Sequence, residues 1–336
     1  MNNLISVIIP VFNREELIPR AIESIVRQDY PEKEVIVVDD GSLDRSAEVA
    51  ERALASSGLP HQVIRLSRNG GVSRARNHGI KRALGQYISF LDSDDFCEST
   101  MLSSLFSRAG QNGRIDMVFC GYQKLFAESG ELRAYPLDRR PIEGKTADEI
   151  AIARLFNRFE PALSSLIRRD LLLQNGLFFN ESCYAGEDGE FFLKAIVRSR
   201  KIASISSNPY IYVQHKTTDR AERDPQKAAH RYHNNTLALA RTLRDLIKTA
   251  HGPRLRSVAE FYLRPLILQR CLAYTAMRKD KRAFDNMLKN SRCVKKMLSS
   301  YREIFAKPEI YLKTLALLAL LALPERYYQH YSKRFG

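Results

Sequence analysis

Leu4-Ile5-Ser6-Val7-Ile8-Ile9-Pro10-Val11-Phe12-Asn13 and Glu34-Val35-Ile36-Val37-Val38-Asp39-Asp40-Gly41-Ser42 are two nearly continuous apolar runs, and the residues between them carry helical spacing. Runs that are apolar on both faces read as strands buried from both sides of a parallel sheet. Pro10 has no amide hydrogen to give a central ladder, so the first strand is expected to give way to a loop there. From Glu15 to Gln28, Leu17, Ala21, Ile22, Ile25 and Val26 fall on one helical face. Strand, helix, strand at this spacing is a βαβ unit, whose crossover is right-handed. The alternation continues outward with a helix over Ser46 to Ser57, a strand over His61 to Leu66 and a helix over Gly71 to Leu84. The first hundred residues thus read as an α/β sheet of the nucleotide-binding type, with ligands expected beyond the carboxyl ends of the strands.

The next strand runs Gly85-Gln86-Tyr87-Ile88-Ser89-Phe90-Leu91-Asp92-Ser93-Asp94-Asp95. Ending a buried strand in three acids is costly unless a cation or a dense hydrogen-bond network compensates. Asp92 and Asp94 are two apart, so an extended backbone sends both side chains from one face. Hard oxygen ligands of this kind suit Mg²⁺ or Mn²⁺ shared with substrate phosphates. The alternative is a helix start, and Asp95 is the acid expected to serve as that cap. At the second strand end, Asp39 is expected to bond the backbone of the Gly41-Ser42 turn. Pro10, Asp39/Asp40 and Asp92/Asp94 all end strands and should converge on one crevice. No GxGxxG follows the first strand and no GxxxxGK[ST] loop occurs, which argues against a nicotinamide dehydrogenase or a P-loop NTPase. What remains is a nucleotide whose diphosphate is neutralised by a metal.

Beyond residue 100 the pattern loosens. Asp116 to Tyr122 reads as strand, Thr146 to Phe156 as helix and Ala162 to Ile167 as a short apolar run. Glu187 and Asp188 open an amphipathic helix, where acids complement the helix dipole whether or not they do chemistry. Ile202 to Ser206 and Tyr210 to Val213 read as strands, followed by His215 and Lys216. The formal net charge of +15 is uneven: residues 1–224 hold 30 Lys+Arg against 31 Asp+Glu, and residues 225–336 hold 23 against 7. Such a basic segment suits nucleic acid or an anionic membrane surface. It contains the longest apolar stretch, Leu315 to Leu323, within an expected helix over 311–323 that is followed by Tyr, Lys and Arg, the composition of an interfacial membrane helix, the alternative being that Leu312 to Leu323 packs on the catalytic domain or a second subunit. The membrane surface is therefore the expected partner and nucleic acid is not. The five cysteines show no paired spacing of zinc or redox type, so reduced, cytosolic thiols are expected. The N-terminus lacks the charged region of a signal peptide, and the longest apolar run falls short of the roughly 20 residues a spanning helix needs.

In order and spacing, six motifs resemble the family 2 glycosyltransferases, inverting enzymes of the GT-A fold. They are SVIIPVFN (6–13), VVDDGSLD (37–44), NGGVSRARNHGI (69–80), YISFLDSDD (87–95), GEDGEF (186–191) and YVQHK (212–216). The resemblance implies an α/β GT-A domain over 1–224, with a nucleotide-binding half (1–100) and an acceptor half (101–224), ahead of a basic, mainly helical region over 225–336. It implies that Pro10 and Phe12 line the nucleobase pocket and that Asp40 bonds the base. Gly71 and Arg76 would border the nucleotide, with Arg74 competing with Arg76 for that place, and Asp92 and Ser93 would contact the nucleotide-sugar. Asp94 would bind Mn²⁺ or Mg²⁺ directly, with Asp92 reaching it through water and His215 on the metal or diphosphate. Asp188 would be the general base, supported by Glu187. Gln214, where the family often has an arginine, and Thr217/Thr218 depart from the common pattern. The implied donor is a nucleotide-diphospho-sugar, a UDP-sugar foremost, and the implied acceptor a glycan or lipid-linked glycan of exopolysaccharide, capsule or lipopolysaccharide assembly. The expected location is cytoplasmic, peripheral on the inner face of the membrane. Two other functions fit a domain of this kind: a catalytically silent scaffold that binds polyanions through its tail, and a nucleotidyltransferase. The second lacks its signature of glycines and a lysine near the first strand.

Overall fold

The computed structural model describes residues 3–110, 115–137, 145–155, 163, 165–183 and 187–215, with isolated positions 242, 244, 245, 248 and 282. Its elements are β1 (Ile5–Val11), α1 (Ile18–Val26), β2 (Lys33–Asp39), α2 (Ser46–Ala55), β3 (His61–Arg65), α3 (Val72–Arg82), β4 (Tyr87–Phe90), β5 (Phe96–Cys97), α4 (Met101–Gly110), β6 (Met117–Phe119), β7 (Tyr122–Phe126), β8 (Leu132–Tyr135), α5 (Ala147–Leu155), β9 (Leu166–Arg168), α6 (Arg169–Gln174), α7 (Glu187–Arg198), β10 (Ile202–Ser204) and β11 (Tyr210–Gln214). The expected helix over 311–323 and nearly all of region 225–336 lie outside the described residues.

Seven strands form one sheet in the order β10-β6-β9-β4-β1-β2-β3. β9 runs antiparallel to β4 and β6, and the other pairings are parallel. The chain goes from β1 to β2 and β3 on one side, then returns to lay β4 on the other. The carboxyl ends of β1 and β4 therefore flank a topological switch point, where sheets of this kind bind ligands. Every residue of β1, β2 and β4 is buried, the pattern their apolar runs demand. A second sheet, β5-β11-β7-β8, begins directly after the acidic stretch.

Two expectations change. β1 continues through Pro10 to Val11, in register with Val38 and Asp39. Leu91 N–H donates to Ile8 O on the β4 side, so Pro10, two residues on, also faces that side, where β4 has already ended. The missing donor costs nothing there. The strand-like run from Asp116 to Tyr122 is two strands, because it breaks at Cys120-Gly121 and passes from one sheet to the other.

α3 lies directly on β1. A Cβ on Gly79 would come within 2.4 Å of Ile8 Cγ2, so only glycine lets the helix sit this close. Cys97 and Cys120 are buried free thiols, and burial pushes the Cys97 thiol up to about 12. Among the described residues no helix is long and apolar enough to cross a membrane. Gly79→Val is expected to destabilise the domain by about 1–3 kcal/mol through overpacking against Ile8, read as a lower midpoint in urea unfolding with an unchanged slope.

Candidate active site

At the carboxyl end of β1 the chain turns at Asn13, which holds a left-handed φ of +50°. This conformation is uncommon outside glycine but tolerated by Asn. Asn13 N–H donates to Ser42 Oγ at 2.9 Å, and its Oδ1 accepts Leu43 N–H at 2.8 Å. The β1 and β2 ends are thereby tied. Asp39 plays the expected turn role, its carboxylate accepting Ser42 N–H at 3.1 Å and the Ser42 hydroxyl. Gly41 has φ +75°, and a Cβ there would meet the Arg68 backbone at 2.7 Å, so the close approach of these two loops needs glycine.

Asp40 is buried and accepts backbone N–H groups from Gly70, at 3.0 Å to each oxygen, and from Gly71 at 2.6 Å. Burial raises its carboxyl above the usual range, against the lowering effect of those amides and of Arg74. Gly71, at φ +92°, precedes the first turn of α3. The side chain expected to bond a base thus also fixes the glycine turn. Pro10 is buried in β1, while Phe12, just past the strand end, is 39% exposed.

The acidic stretch is not extended. Asp95 N–H donates to Asp92 O at 3.1 Å, closing a tight turn after β4. Oxygens of Asp92, Asp94 and Asp95 lie within 4.8 Å of one another, so the turn gathers the acids that strand alternation was expected to align. Asp95 does not cap a helix. It is 1% exposed, and its carboxylate accepts the Tyr210 hydroxyl and Val213 N–H, the latter at 2.8 Å. A carboxylate removed from water takes the donors that β11 offers. Burial, then the charges of Asp92 and Asp94, push its carboxyl well above the ordinary range. Ser93 is buried in the turn. From α1, Arg20 Nη2 donates to Asp94 O at 2.6 Å, its guanidinium 4.8 Å over the Phe96 ring. Three clustered carboxylates, two of them partly open to solvent, form a hard-oxygen set that fits Mg²⁺ or Mn²⁺.

Arg76 and Arg74, expected to compete for one place, part company. Arg74 is half-buried, donating to Arg68 O at 3.1 Å and acting on the Asp40 carboxylate. Arg76 is 2% exposed, its Nη2 on Asp92 Oδ1 at 2.7 Å and its Nη1 on Glu187 Oε1 at 3.4 Å. Glu187 is buried at the start of α7, where burial and then Asp188 push its carboxyl up to about 7 against the opposing pull of Arg76. Asp188 follows, half-buried. His215 comes two residues after Val213. Its Nε2 is buried and has no hydrogen-bond partner among the described residues, and the structure does not bring it into the cluster of Asp92, Asp94 and Asp95.

Several structural parts had no sequence reading. Asn77 Nδ2 donates to Phe179 O at 2.9 Å and Glu181 Oε1 at 3.0 Å, and its Oδ1 accepts Phe179 N–H at 2.8 Å. Phe179 stacks on Phe191 of α7 at 3.9 Å and meets Phe90 of β4 edge-on at 5.2 Å. The only signal for Asn77 was its place beside Arg76 in one motif; for Asn13, it was a polar residue just past a strand end.

Comparison with known proteins accords with this geometry. Residues 6–172 match the family model "Glycosyl transferase family 2". The chain is 35% identical over 214 residues to the uncharacterized glycosyltransferase EpsJ of Bacillus subtilis (strain 168), covering 62% of this chain and 60% of EpsJ. It is 30% identical over 212 residues to the poly(ribitol-phosphate) beta-N-acetylglucosaminyltransferase TarS of Staphylococcus aureus (strain MW2), covering 62% of this chain and 35% of TarS. The chain thus spans less than two thirds of the length of both relatives. Among solved structures, S. aureus TarS 1-349 in complex with UDP-GlcNAc superposes with TM-score 0.60 at 20% identity, covering 89% of this chain and 91% of that one. The mannosyltransferase PcManGT of Pyrobaculum calidifontis, in complex with GDP-Man and Mn²⁺, gives TM-score 0.54 at 16% identity, covering 95% and 86%. These likenesses show a shared GT-A fold. With four of its six motifs inside the matched residues 6–172, the chain belongs to glycosyl transferase family 2.

Proposed function

We propose that this chain is an inverting glycosyltransferase that moves a sugar from a nucleotide-diphospho-sugar to an acceptor hydroxyl. The observation that carries the reading is the gathering of Asp92, Asp94 and Asp95 at the switch point, with Arg76 linking Asp92 to the helix that bears Asp188. Pro10, Phe12 and Asp40 lie along the strand ends where a nucleotide would sit, with Gly71 and Ser93 at the adjoining turns. Asp94 and Asp92 would hold a divalent cation, with His215 as a further ligand to the cation or diphosphate. Bound there, the cation supplies positive charge where the leaving phosphate becomes negative.

Asp188 is the general base. Its carboxylate takes the proton from the acceptor hydroxyl, whose oxygen attacks the anomeric carbon from the face opposite the diphosphate. The bond from that carbon to the β-phosphate oxygen breaks, and the electron pair leaves with the nucleoside diphosphate. One displacement inverts the configuration. Glu187, buried behind Asp188, supports it.

A UDP-sugar is the favoured donor, since a structural neighbour is described with UDP-GlcNAc. A surface glycan is the favoured acceptor, in keeping with the poly(ribitol-phosphate) in the name of TarS. The basic region 225–336 would place the enzyme on the inner face of the cytoplasmic membrane, within reach of a lipid-linked acceptor.

Turnover of a UDP-, GDP- and dTDP-sugar panel with Mn²⁺, followed by release of nucleoside diphosphate, tests the reading. Asp94→Ala is expected to lower turnover at least about a hundredfold, given the several kcal/mol a metal contributes, and to weaken Mn²⁺ binding in calorimetry. Activity that persists in this variant and in EDTA would rule out metal dependence. Asp188→Asn should cost about 10²- to 10⁴-fold in kcat while leaving the dissociation constant for nucleoside diphosphate nearly unchanged. Full-length protein should sediment with phosphatidylglycerol vesicles at low salt and be released at 1 M salt, where the Debye length falls to about 3 Å. Protein that stays in the supernatant at low salt would contradict the membrane location.

A further inference from the structure

Arg76 stands at the middle of α3, yet both of its charged contacts belong to distant parts of the chain. Nη2 meets Asp92 at 2.7 Å and Nη1 meets Glu187 at 3.4 Å, so one planar fork spans two carboxylates. Its guanidinium lies 5.1 Å over the Phe179 ring. Phe179 stacks on Phe191 in α7 and packs edge-on against Phe90, the last residue of β4. The next residue, Asn77, holds Phe179 and Glu181 by three hydrogen bonds. Two adjacent α3 residues therefore fasten both the turn that follows β4 and the head of α7.

We propose that Arg76 is a positioning residue which locks the Asp92 turn to the N-terminus of α7 and so fixes where Asp188 stands, rather than a contact to the nucleotide. At 2% exposure the side chain has little surface to offer a ligand. Lysine could not reproduce it, since a single ammonium lacks the fork that reaches two carboxylates and the flat face that covers Phe179. Arginine is thus required by geometry as well as charge. The inference rests on Asp188 being the general base.

A displacement of about 1 Å at a reacting group costs on the order of a hundredfold in rate. Arg76→Lys in the full chain is expected to lower kcat about 30- to 100-fold on whichever panel donor turns over, with the dissociation constant for UDP plus Mn²⁺ changed less than about threefold. In hydrogen exchange without substrate, amides 187–191 should lose protection while those of β1 and β2 keep theirs. Unchanged kcat, unchanged exchange at 187–191, or UDP binding weakened as much as kcat would each overturn the proposal. If Arg76→Lys does not fold, Glu187→Gln removes the other end of the tie and should give the same split and the same local exchange. Should Asp188→Asn retain turnover while Arg76→Lys loses it and amides 187–191 lose protection, the base assignment fails, and of the proposal only the tie between the turn and α7 stands, not its effect through Asp188. Should Asp188→Asn be inactive while Arg76→Lys keeps its kcat, the tie is wrong and the base assignment survives.

Discussion

A guanidinium taken out of water must be met by opposite charge, and leaving a buried charge unmatched costs about 3–5 kcal/mol. Arg76 meets that demand with Asp92 and Glu187; burial works against its charge, and the neighbouring acids outweigh it and hold its proton more tightly than water would. The converse holds for the acids. Glu187 has both burial and Asp188 working against its charge, and Arg76 is the opposing influence. Neither the acidic turn after β4 nor the acidic head of α7 is electrostatically comfortable alone; the arginine between them makes each tolerable.

The rest of the site is arranged around the same difficulty of placing negative charge at strand ends. Asp39 is absorbed into its own turn, Asp40 into backbone amides of the glycine loop, and Asp95 into Tyr210 and β11. Those three are satisfied within the protein. Asp92 and Asp94 are the members of the cluster left partly open to solvent, and so the two that the proposed cation would reach.

The parallel sheet, the helices between its strands and the crevice at their ends were legible in the sequence. Each rests on a local periodicity: apolar runs for β1, β2 and β4, and a helical stripe for α1. The acids at the strand ends were equally visible, as was Asp39 in its turn. Local pattern misled where pairing partners decide. Pro10 looked like a strand terminator because its neighbour on the β4 side is known only once the strand order is set, and Cys120-Gly121 hid a change of sheet within one short apolar run.

By itself, then, the sequence determined which elements form and which acids sit at their ends, because backbone period and turn chemistry act over a few residues. Tertiary structure decided what each acid does. Asp92 and Asp94 are brought together by a turn and not by strand alternation. Asp95 is claimed by a strand more than a hundred residues later, and Arg76 is buried on Asp92 while the half-buried Arg74 stands by Asp40. The physical reason is common to all three. Burial and charge are properties of the packed neighbourhood, and that neighbourhood joins β4, α3, α7 and β11, which nothing in the local pattern places side by side.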